Sequence, residues 1–386
     1  CNAWLDRNGL AFENLGGYDG QTIAGVTSTS THGSGIAFGP LNDALRSLDV
    51  VVGDGSVQRI EPADGPTDRA AYEAHHGDRT LVQDDDVWNA VSVGIGCMGV
   101  IVTAMVEVRE RFFMREVREL HPWAKVRADL EAGDVLREHE HYELAFSPYD
   151  DGYAYPFLVT TRDSVADPRN RPLDKRMRNW LVQAAALFPF TPHLINLILD
   201  IAPMLAPALL RGSVRSLVKD EYDEVSHKVF NIGTLNKLPA YSCEIGVPMD
   251  GRHIAAVETI FRVAAERREL GQVYQSSPIA LRFVRASPAY LSMMQGRDTM
   301  MIELIQLNGN DGGMELVKAY EEALYALGGR PHWGHVNTLS GSHGFVASMY
   351  PRLGDWLDVR ARLDPDGVFD GPFTKRVGLS AERFAP

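Results

Sequence analysis

The sequence predicts an α+β fold divided between two domains. Its 386 residues exceed the length at which a single hydrophobic core usually suffices. Residues 1–112 contain short β-branched runs separated by glycine and polar turns, a pattern typical of a strand-rich unit. Residues 113–330 close with segments in the order strand, helix, strand, strand, helix, which predicts an antiparallel sheet covered by helices on one face.

The first domain contains two strand signals. The stretch LRSLDVVVGDGSVQRIEP has apolar runs on both sides of Gly53-Asp54-Gly55 and predicts a β-hairpin. Residues 100–108, VIVTAMVEV, are rich in β-branched side chains, and we expect them to form a buried strand. The chain opens on CNAWLDRNGLAFENLG, a helical pattern without an initiating methionine, so we expect an upstream part to be missing.

The second domain alternates strand and helix patterns. HYELAFSPYDDGYAYPFLVTT predicts a hairpin that turns near Asp151-Gly152, and YSCEIGVPM, IALRFVRAS and TMMIELIQL follow as strands. RHIAAVETIFRVAAERREL and MELVKAYEEALYAL predict helices, because their apolar side chains recur at the spacing of one helix face. We expect residues 331–386 to return to the first domain and to the active site.

Residues 175–215 form the most apolar part of the second domain. A membrane-spanning helix needs roughly 20 uninterrupted apolar residues. Four prolines interrupt this stretch between residues 180 and 210. We therefore expect an insertion of short helices packed on the domain. Peripheral contact with a membrane surface stays open but is not favoured.

The bulk composition narrows the possible partners and location. A net charge of -13 repels phosphate backbones, so nucleic acid is not an expected partner. Three cysteines, an odd and sparse set, do not resemble a disulfide framework. They favour a reducing compartment, and we expect a cytoplasmic location, with membrane association as the alternative.

Two glycine-rich segments are candidates for binding phosphate. VGIGCMGVI contains G-x-G-x-x-G at Gly94, Gly96 and Gly99, but a strand pattern follows where a dinucleotide-binding fold requires a helix, so we exclude an NAD site. QTIAGVTSTSTHGSG, residues 21–35, combines glycines with small hydroxyl side chains. Such residues let the backbone offer N–H donors to a diphosphate, although a polar surface loop has the same composition.

These segments resemble the hallmark sequences of the vanillyl-alcohol-oxidase flavoproteins. LAFENLGGYDGQTIAGVTSTSTHGSG is nearest to the aldonolactone (gulono- and arabinono-1,4-lactone) oxidases and to the alditol oxidases, and VGIGCMGVI is similar to their second flavin-contacting segment. GGRPHWG and VRARLDPDGVF extend the resemblance, in the same order, over nearly the whole chain. It implies a two-part PCMH-type FAD-binding domain, whose first part is absent here, and a cap domain over the flavin ring.

The resemblance implies FAD as the cofactor, contacted mainly at its diphosphate and ribityl parts. Members of this family often bind FAD covalently through a histidine, which would lie upstream of this chain. The positions implied to contact FAD are Gly17, Thr22, Gly25, Thr29, Ser30, Thr31, His32, Gly33 and Val100.

Two positions depart from the sugar-oxidising members of the family. Ala280 stands where those enzymes often carry a glutamate, two residues before an arginine that is retained here as Arg282. His335 stands where they carry a lysine, in the stretch His332-Trp333-Gly334-His335. Because a carboxylate and a cation are lost together, the substrate is expected to differ from a simple sugar lactone.

Four polar residues are candidates for the chemistry. Arg282 is permanently charged and is a candidate catalytic residue because it can stabilise a developing alkoxide, although a structural ion pair is the alternative. His335 is the candidate general base, since histidine titrates near neutrality. Together with Glu244 and His332, these two residues are expected to bind substrate. No metal site is expected, because no histidine or acidic cluster shows a ligand spacing.

The leading hypothesis is an FAD-dependent oxidase or dehydrogenase that oxidises a CH–OH group of a sugar-, sugar-lactone- or polyol-like substrate. Its partners would be this small molecule and an electron acceptor, with dioxygen expected. Two alternatives stay open. One is a flavin oxidase of a larger secondary metabolite, which the two departures favour. The other is a flavin-free, non-catalytic remnant that binds partners through its apolar insertion.

Overall fold

The computed structural model describes residues 1–150, 155–168, 199, 201–218, 221–231, 239–271, 273–340 and 343–381. Strands β1 to β14 are Leu10–Ala11, Leu45–Val51, Val57–Glu61, Arg79–Gln83, Val100–Val106, Arg109–Glu110, Phe113–Pro122, His141–Phe146, Pro156–Val165, Tyr222–Val225, Ala240–Pro248, Ile279–Val284, Thr299–Leu307 and Arg330–Pro331. Helices α1 to α13 are Asn2–Arg7, Ile23–Ser28, Arg69–His75, Asp85–Val91, Trp123–Ala132, Val135–Glu138, Ala206–Ser216, Ser226–Phe230, Arg252–Gly271, Gly313–Tyr325, His343–Met349, Leu353–Leu363 and Pro372–Val377.

A four-stranded sheet in the order β4-β3-β2-β5 forms the first part of the fold. The predicted hairpin is confirmed, because β2 and β3 pair antiparallel across the glycine turn. The expectation that residues 100–108 form a buried strand is wrong in one respect. They do form β5, but Val100 and Val102 are 56% and 60% exposed. β5 lies at one of the two edges of the sheet, and within the described residues nothing covers the face to which Val100 and Val102 point.

An eight-stranded antiparallel sheet in the order β10-β7-β9-β8-β12-β13-β11-β14 forms the second part. Alternate residues of its strands point to opposite faces. One face is apolar: Leu281 of β12 and Ile302 of β13 are fully buried there with Val257 of α9 and Leu316 of α10. The predicted α+β class, with helices covering one face of an antiparallel sheet, is confirmed.

The opposite face of this sheet is polar. We define the polar face as the charged and hydroxyl side chains that the strands present on this side: Glu116, Arg118, Glu143, Arg162, Ser242, Glu244, Arg282 and Glu303. Charged groups are costly to bury unless they are paired, and the arginines of this face are paired with its glutamates.

The C-terminal residues pack against the four-stranded sheet. The Trp356 indole N–H of α12 donates to the carbonyl of Val93 at 3.1 Å, and the Gly53 N–H donates to the carbonyl of Leu363 at 2.8 Å. On the way there, β14 pairs with β11 as the last strand of the large sheet. The residues that follow β14 therefore lie along the polar face.

Most of the predicted apolar insertion at residues 175–215 lies outside the described residues. Its last part forms α7, with Leu210 and Val214 buried. In the described part of the chain, no helix has the length and apolar character needed to cross a bilayer.

Candidate active site

The glycine loop, defined as residues 21–35, begins with the short helix α2. Thr22 caps this helix, because its hydroxyl accepts the Gly25 N–H at 3.0 Å. The Thr29 hydroxyl donates to the carbonyl of Gly25 at 2.9 Å. These two hydroxyls are therefore used within the loop. The cap also occupies the Gly25 N–H, so only the main-chain N–H groups of the first helical turn that precede Gly25 are candidates to face a diphosphate.

The two glycine-rich segments lie against each other. The Ile95 N–H of VGIGCMGVI donates to the carbonyl of Ser28 at 3.1 Å. Val100, at the start of β5, is exposed next to this junction. Ile95 has a positive φ of 45°, and Gly99 has a φ of 130° that favours glycine. The segments thus form one surface, as binding of a single extended cofactor by both requires.

The end of the glycine loop is fastened to the large sheet. The Gly35 N–H donates to the carbonyl of Phe283 at 2.7 Å, and the Phe283 N–H donates to the Ser34 hydroxyl at 3.1 Å. A β-carbon at Gly33 would lie 2.2 Å from Asn14 Oδ1, so only glycine fits there without a local shift. These contacts fix His32, between the two anchors and α2, over the polar face.

His32 points into the polar face at Glu244. Its Nδ1 lies 2.8 Å from the carbonyl of Gly33, which only accepts hydrogen bonds, so Nδ1 carries a proton. Its Nε2 lies 3.3 Å from Glu244 Oε1, and both side chains are buried. The two atoms lie within ion-pair distance but lack the geometry of a hydrogen bond, so His32 Nε2 has no hydrogen-bond partner among the described residues.

The residues that follow β14 add two more histidines. The His332 N–H donates to the carbonyl of Glu244 at 2.8 Å, and the Gly334 N–H donates to His332 Nδ1 at 3.0 Å. A neutral His332 ring therefore carries its proton on Nε2. His335 Nε2 lies 3.8 Å from Glu244 Oε2, and the rings of His332 and His335 are 4.5 Å apart.

Glu244 is the common partner of the three histidines. Burial alone would raise the pKa of its carboxyl group, but the rings of His32, His332 and His335 hold that pKa well below its usual range. Burial, reinforced by His335, lowers the pKa of His332 well below the value usual for histidine. The cluster therefore combines an ionised Glu244 with a neutral His332.

Arg282 lies beside this cluster and contacts three carboxylates. Its guanidinium group reaches Glu303 at 2.7 Å, Glu143 at 3.3 Å and Glu244 at 3.4 Å. Burial alone would lower the pKa of Arg282, but Glu303, Glu143 and Glu244 raise it. Glu143 also contacts Arg162 at 2.8 Å, so the pairing continues across the sheet. The positive charge of Arg282 is thus already compensated.

The side chains of His32, Glu244 and His332 also have the make-up of a metal site. Their potential ligand atoms lie within 4.8 Å of one another. However, the guanidinium of Arg282 lies 3.4 Å from Glu244 Oε1, and a second cation at that oxygen would be repelled. The absence of a metal site stays a prediction.

The predicted site residues divide into two groups. His32, Glu244, Arg282, His332 and His335 come together at the polar face. The other implied FAD contacts lie on the glycine loop, on the residues just before it, or on β5. Among them, Ser30 is buried, and its hydroxyl lies 2.8 Å from the hydroxyl of Ser292. These are the positions Gly17, Thr22, Gly25, Thr29, Ser30, Thr31, Gly33 and Val100.

Sequence reasoning missed Glu143 and Glu303. Each is an ionisable residue in an otherwise apolar stretch of strand, Glu143 in YELAF and Glu303 in MMIELIQL. That feature is a usable signal, since a charge in the middle of a central strand needs a partner. Both residues contact Arg282 in the folded protein.

His141 anchors the glycine loop from the sheet side and gives a prediction for pH stability. Its Nδ1–H donates to the carbonyl of Ser34 at 2.6 Å, with the rings of Phe38 and Phe230 both 4.9 Å away. Burial lowers the pKa of His141 from 6.5 to about 4. Between these pH values the unfolded chain binds a proton that the folded chain does not. Stability is therefore expected to fall as the pH falls through this window, by about 3 kcal/mol in total.

Urea unfolding of the wild type and His141→Gln at pH 7 and pH 5 measures this effect. The amide of the variant can still donate to Ser34 but cannot titrate. We expect the wild type to lose more stability than the variant between the two pH values. Equal losses in the two proteins would exclude His141 as the titrating group.

The fold and site fit an FAD-dependent oxidoreductase. The paired glycine-rich segments, the exposed start of β5, and the buried His32 Nε2 without a hydrogen-bond partner of proper geometry suit a flavin above the polar face. The model of the D-arabinono-1,4-lactone oxidase family matches residues 104–377. The chain belongs to this family.

Individual relatives agree with this assignment. An L-gulono-1,4-lactone dehydrogenase of Mycobacterium tuberculosis is 28% identical over 380 residues, covering 97% of this chain and 77% of the relative. A putative D-arabinono-1,4-lactone oxidase of Neurospora crassa is 32% identical over 434 residues, covering 97% and 69%. A solvent-stable cholesterol oxidase has a similar fold, with a TM-score of 0.72 at 14% identity, covering 98% of this chain and 79% of that one.

Proposed function

We propose that this protein oxidises a CH–OH group of an aldonolactone or a related neutral polyol and passes the electrons to dioxygen or another acceptor. The single observation that carries the proposal is the contact between His32 of the glycine loop and Glu244 of the polar face, 3.3 Å apart. It joins the segment that resembles a flavin-binding loop to a cluster able to take up a proton.

FAD, when bound, supplies the acceptor for the hydride that leaves the substrate carbon. The chain must supply a place for the hydroxyl proton. His335 is the most accessible histidine of the cluster, with its side chain 25% exposed, and it adjoins the ionised Glu244. We assign His335 to accept that proton and Glu244 to stabilise the imidazolium that results. Arg282 acts as a positioning residue that holds the carboxylates together.

Anaerobic mixing of the full-length protein with substrate tests the proposal. We expect the visible absorbance of oxidised flavin to bleach with gulono- or arabinono-1,4-lactone, or with an alditol, and to return on adding dioxygen or a dye acceptor. The relative rates of return with the two acceptors distinguish an oxidase from a dehydrogenase. A flavin that none of these substrates reduces would contradict the proposal.

The two alternative hypotheses predict different results in the same experiment. A colourless preparation of full-length protein would favour the flavin-free binding module. Reduction by none of the small substrates, with flavin present, would favour a larger secondary metabolite. Membership of the D-arabinono-1,4-lactone oxidase family supports the sugar-type substrate over both.

A further inference from the structure

Glu303 lies on β13, near the middle of the polar face. In the register of the large sheet it lies directly opposite Ala280 of β12 on one side and Glu244 of β11 on the other. Directly opposite residues point to the same face, with their β-carbons about 4.5–5.5 Å apart. Ala280 and Glu303 are therefore neighbours on the polar face. Ala280 contributes only a methyl group there, whereas Glu303 contributes a carboxylate.

The carboxylate of Glu303 is held by two contacts and is still accessible. Arg282 donates to one oxygen at 2.7 Å, and the Ser242 hydroxyl donates to the other at 3.2 Å. A carboxylate has about four acceptor positions, so capacity remains for further donors. The side chain of Glu303 is 16% exposed, compared with 3% for Glu244. Of these two carboxylates, Glu303 is the more accessible to a ligand.

The small side chain of Ala280 opens the approach to Glu303. Ala280 is itself partly exposed, as is Ala145, its neighbour on β8. A row of two alanines beside a fixed carboxylate leaves room for a ligand to lie across the strands. A longer side chain at position 280 would fill this space.

The accessible charged groups on the polar face around Ala280 favour a neutral ligand. On the three strands around Ala280, β8, β12 and β13, the charged groups of the polar face are the carboxylates of Glu303 and Glu143, each 16% exposed, and the guanidinium of Arg282, 13% exposed. Two negative groups against one positive group repel a carboxylate or a phosphate. Hydroxyl groups, by contrast, can donate hydrogen bonds to the carboxylates.

We propose that Glu303 is a specificity-determining residue that accepts a hydrogen bond from a substrate hydroxyl group remote from the reacting carbon. It thereby selects neutral polyhydroxylated substrates, such as lactones and alditols, over aldonates and sugar phosphates. This inference rests on the proposed function and deepens it. It also explains how the site retains a carboxylate although Ala280 has none, since the neighbouring strand supplies it.

Steady-state kinetics of Glu303→Gln with a neutral lactone or alditol tests the inference. Loss of one hydrogen bond to a charged group is expected to raise KM by about tenfold to a hundredfold, with a much smaller change in kcat. Discrimination against the matching aldonate should weaken in parallel, because one repelling charge is gone. Glu224→Gln is the control, since Glu224 is a partly exposed glutamate on β10 at the far end of the same sheet.

A second experiment moves the carboxylate from position 303 to position 280. Glu303→Ala should raise KM as Glu303→Gln does, and the double variant Ala280→Glu/Glu303→Ala should recover part of the loss, because the two positions lie side by side. Flavin content and the unfolding midpoint identify any variant that fails to fold. An unchanged KM in Glu303→Gln would overturn the role of Glu303 alone. A wild-type flavin that no neutral polyol reduces would overturn the proposed function and this inference with it.

Discussion

Replacement of Arg282 with alanine is expected to slow flavin reduction by about a hundredfold or more and to lower the free energy of unfolding by about 3–5 kcal/mol. The reason lies in its three partners. Glu143, Glu244 and Glu303 converge on this one guanidinium group. Without it, three carboxylates face one another with reduced solvation, and either they move apart or some take up protons.

Stopped-flow reduction of the flavin and urea unfolding measure the two effects of Arg282→Ala. The FAD content should change much less than the reduction rate, because Arg282 lies on the sheet and not on the glycine loop. Arg282→Lys keeps the charge but cannot bridge three carboxylates with one planar group, so we expect an intermediate rate. Unchanged reduction kinetics in Arg282→Ala would exclude a role of Arg282 in the reaction.

Replacement of Glu244 with glutamine is expected to slow flavin reduction by about 10²–10⁴-fold, the range for loss of a group that supports acid–base catalysis. The variant is close in size and shape to the wild type. Its amide, however, has no negative charge with which to face His32 or to stabilise an imidazolium at His335. We expect a lowered kcat with little change in KM, because the side chain of Glu244 is buried among the three histidines.

Glu244→Gln is also expected to change how the free energy of unfolding depends on pH. The pKa of Glu244 is lowered in the folded protein, so its charge stabilises the fold above the unfolded-state pKa of about 4.3, and this contribution is lost as the pH falls below it. The stability difference between wild type and Glu244→Gln should therefore shrink in acid. Glu321→Gln is the matched control. It removes a buried carboxylate of α10 that accepts hydrogen bonds from Tyr325 and Thr338, outside the polar face. A rate loss in the control equal to that in Glu244→Gln would contradict a special role for Glu244.

Local patterns predicted most of the architecture. The β2–β3 hairpin, the strands β11, β12 and β13 and the helix α9 follow from side-chain periodicity and glycine turns, which act over a few residues. The exposure of β5 could not be predicted in this way. Its β-branched sequence resembles that of a central strand, whereas its position at the sheet edge depends on pairings elsewhere in the chain.

The sequence predicted which residues form the site, but not how their side chains are arranged and paired. His32, Glu244, Arg282 and His335 were identified from motifs in four separate segments, and the structure brings their side chains together. The compensation of Arg282 by Glu143 and Glu303 depends on the register of three strands, which lie far apart in the sequence. These ion pairs favour a positioning role for Arg282, the alternative given by the sequence, while its role in stabilising an alkoxide stays a prediction.

The central claim is that His32 of the glycine loop and Glu244 of the sheet act as one unit. A double-mutant cycle on the rate of flavin reduction, with His32→Gln, Glu244→Gln and the double variant, tests it most directly. We predict strong non-additivity, with the double variant about as slow as the slower single variant, because either substitution already breaks the contact between the two side chains. Rate losses that multiply in the double variant would show that the two residues act independently and would contradict the account.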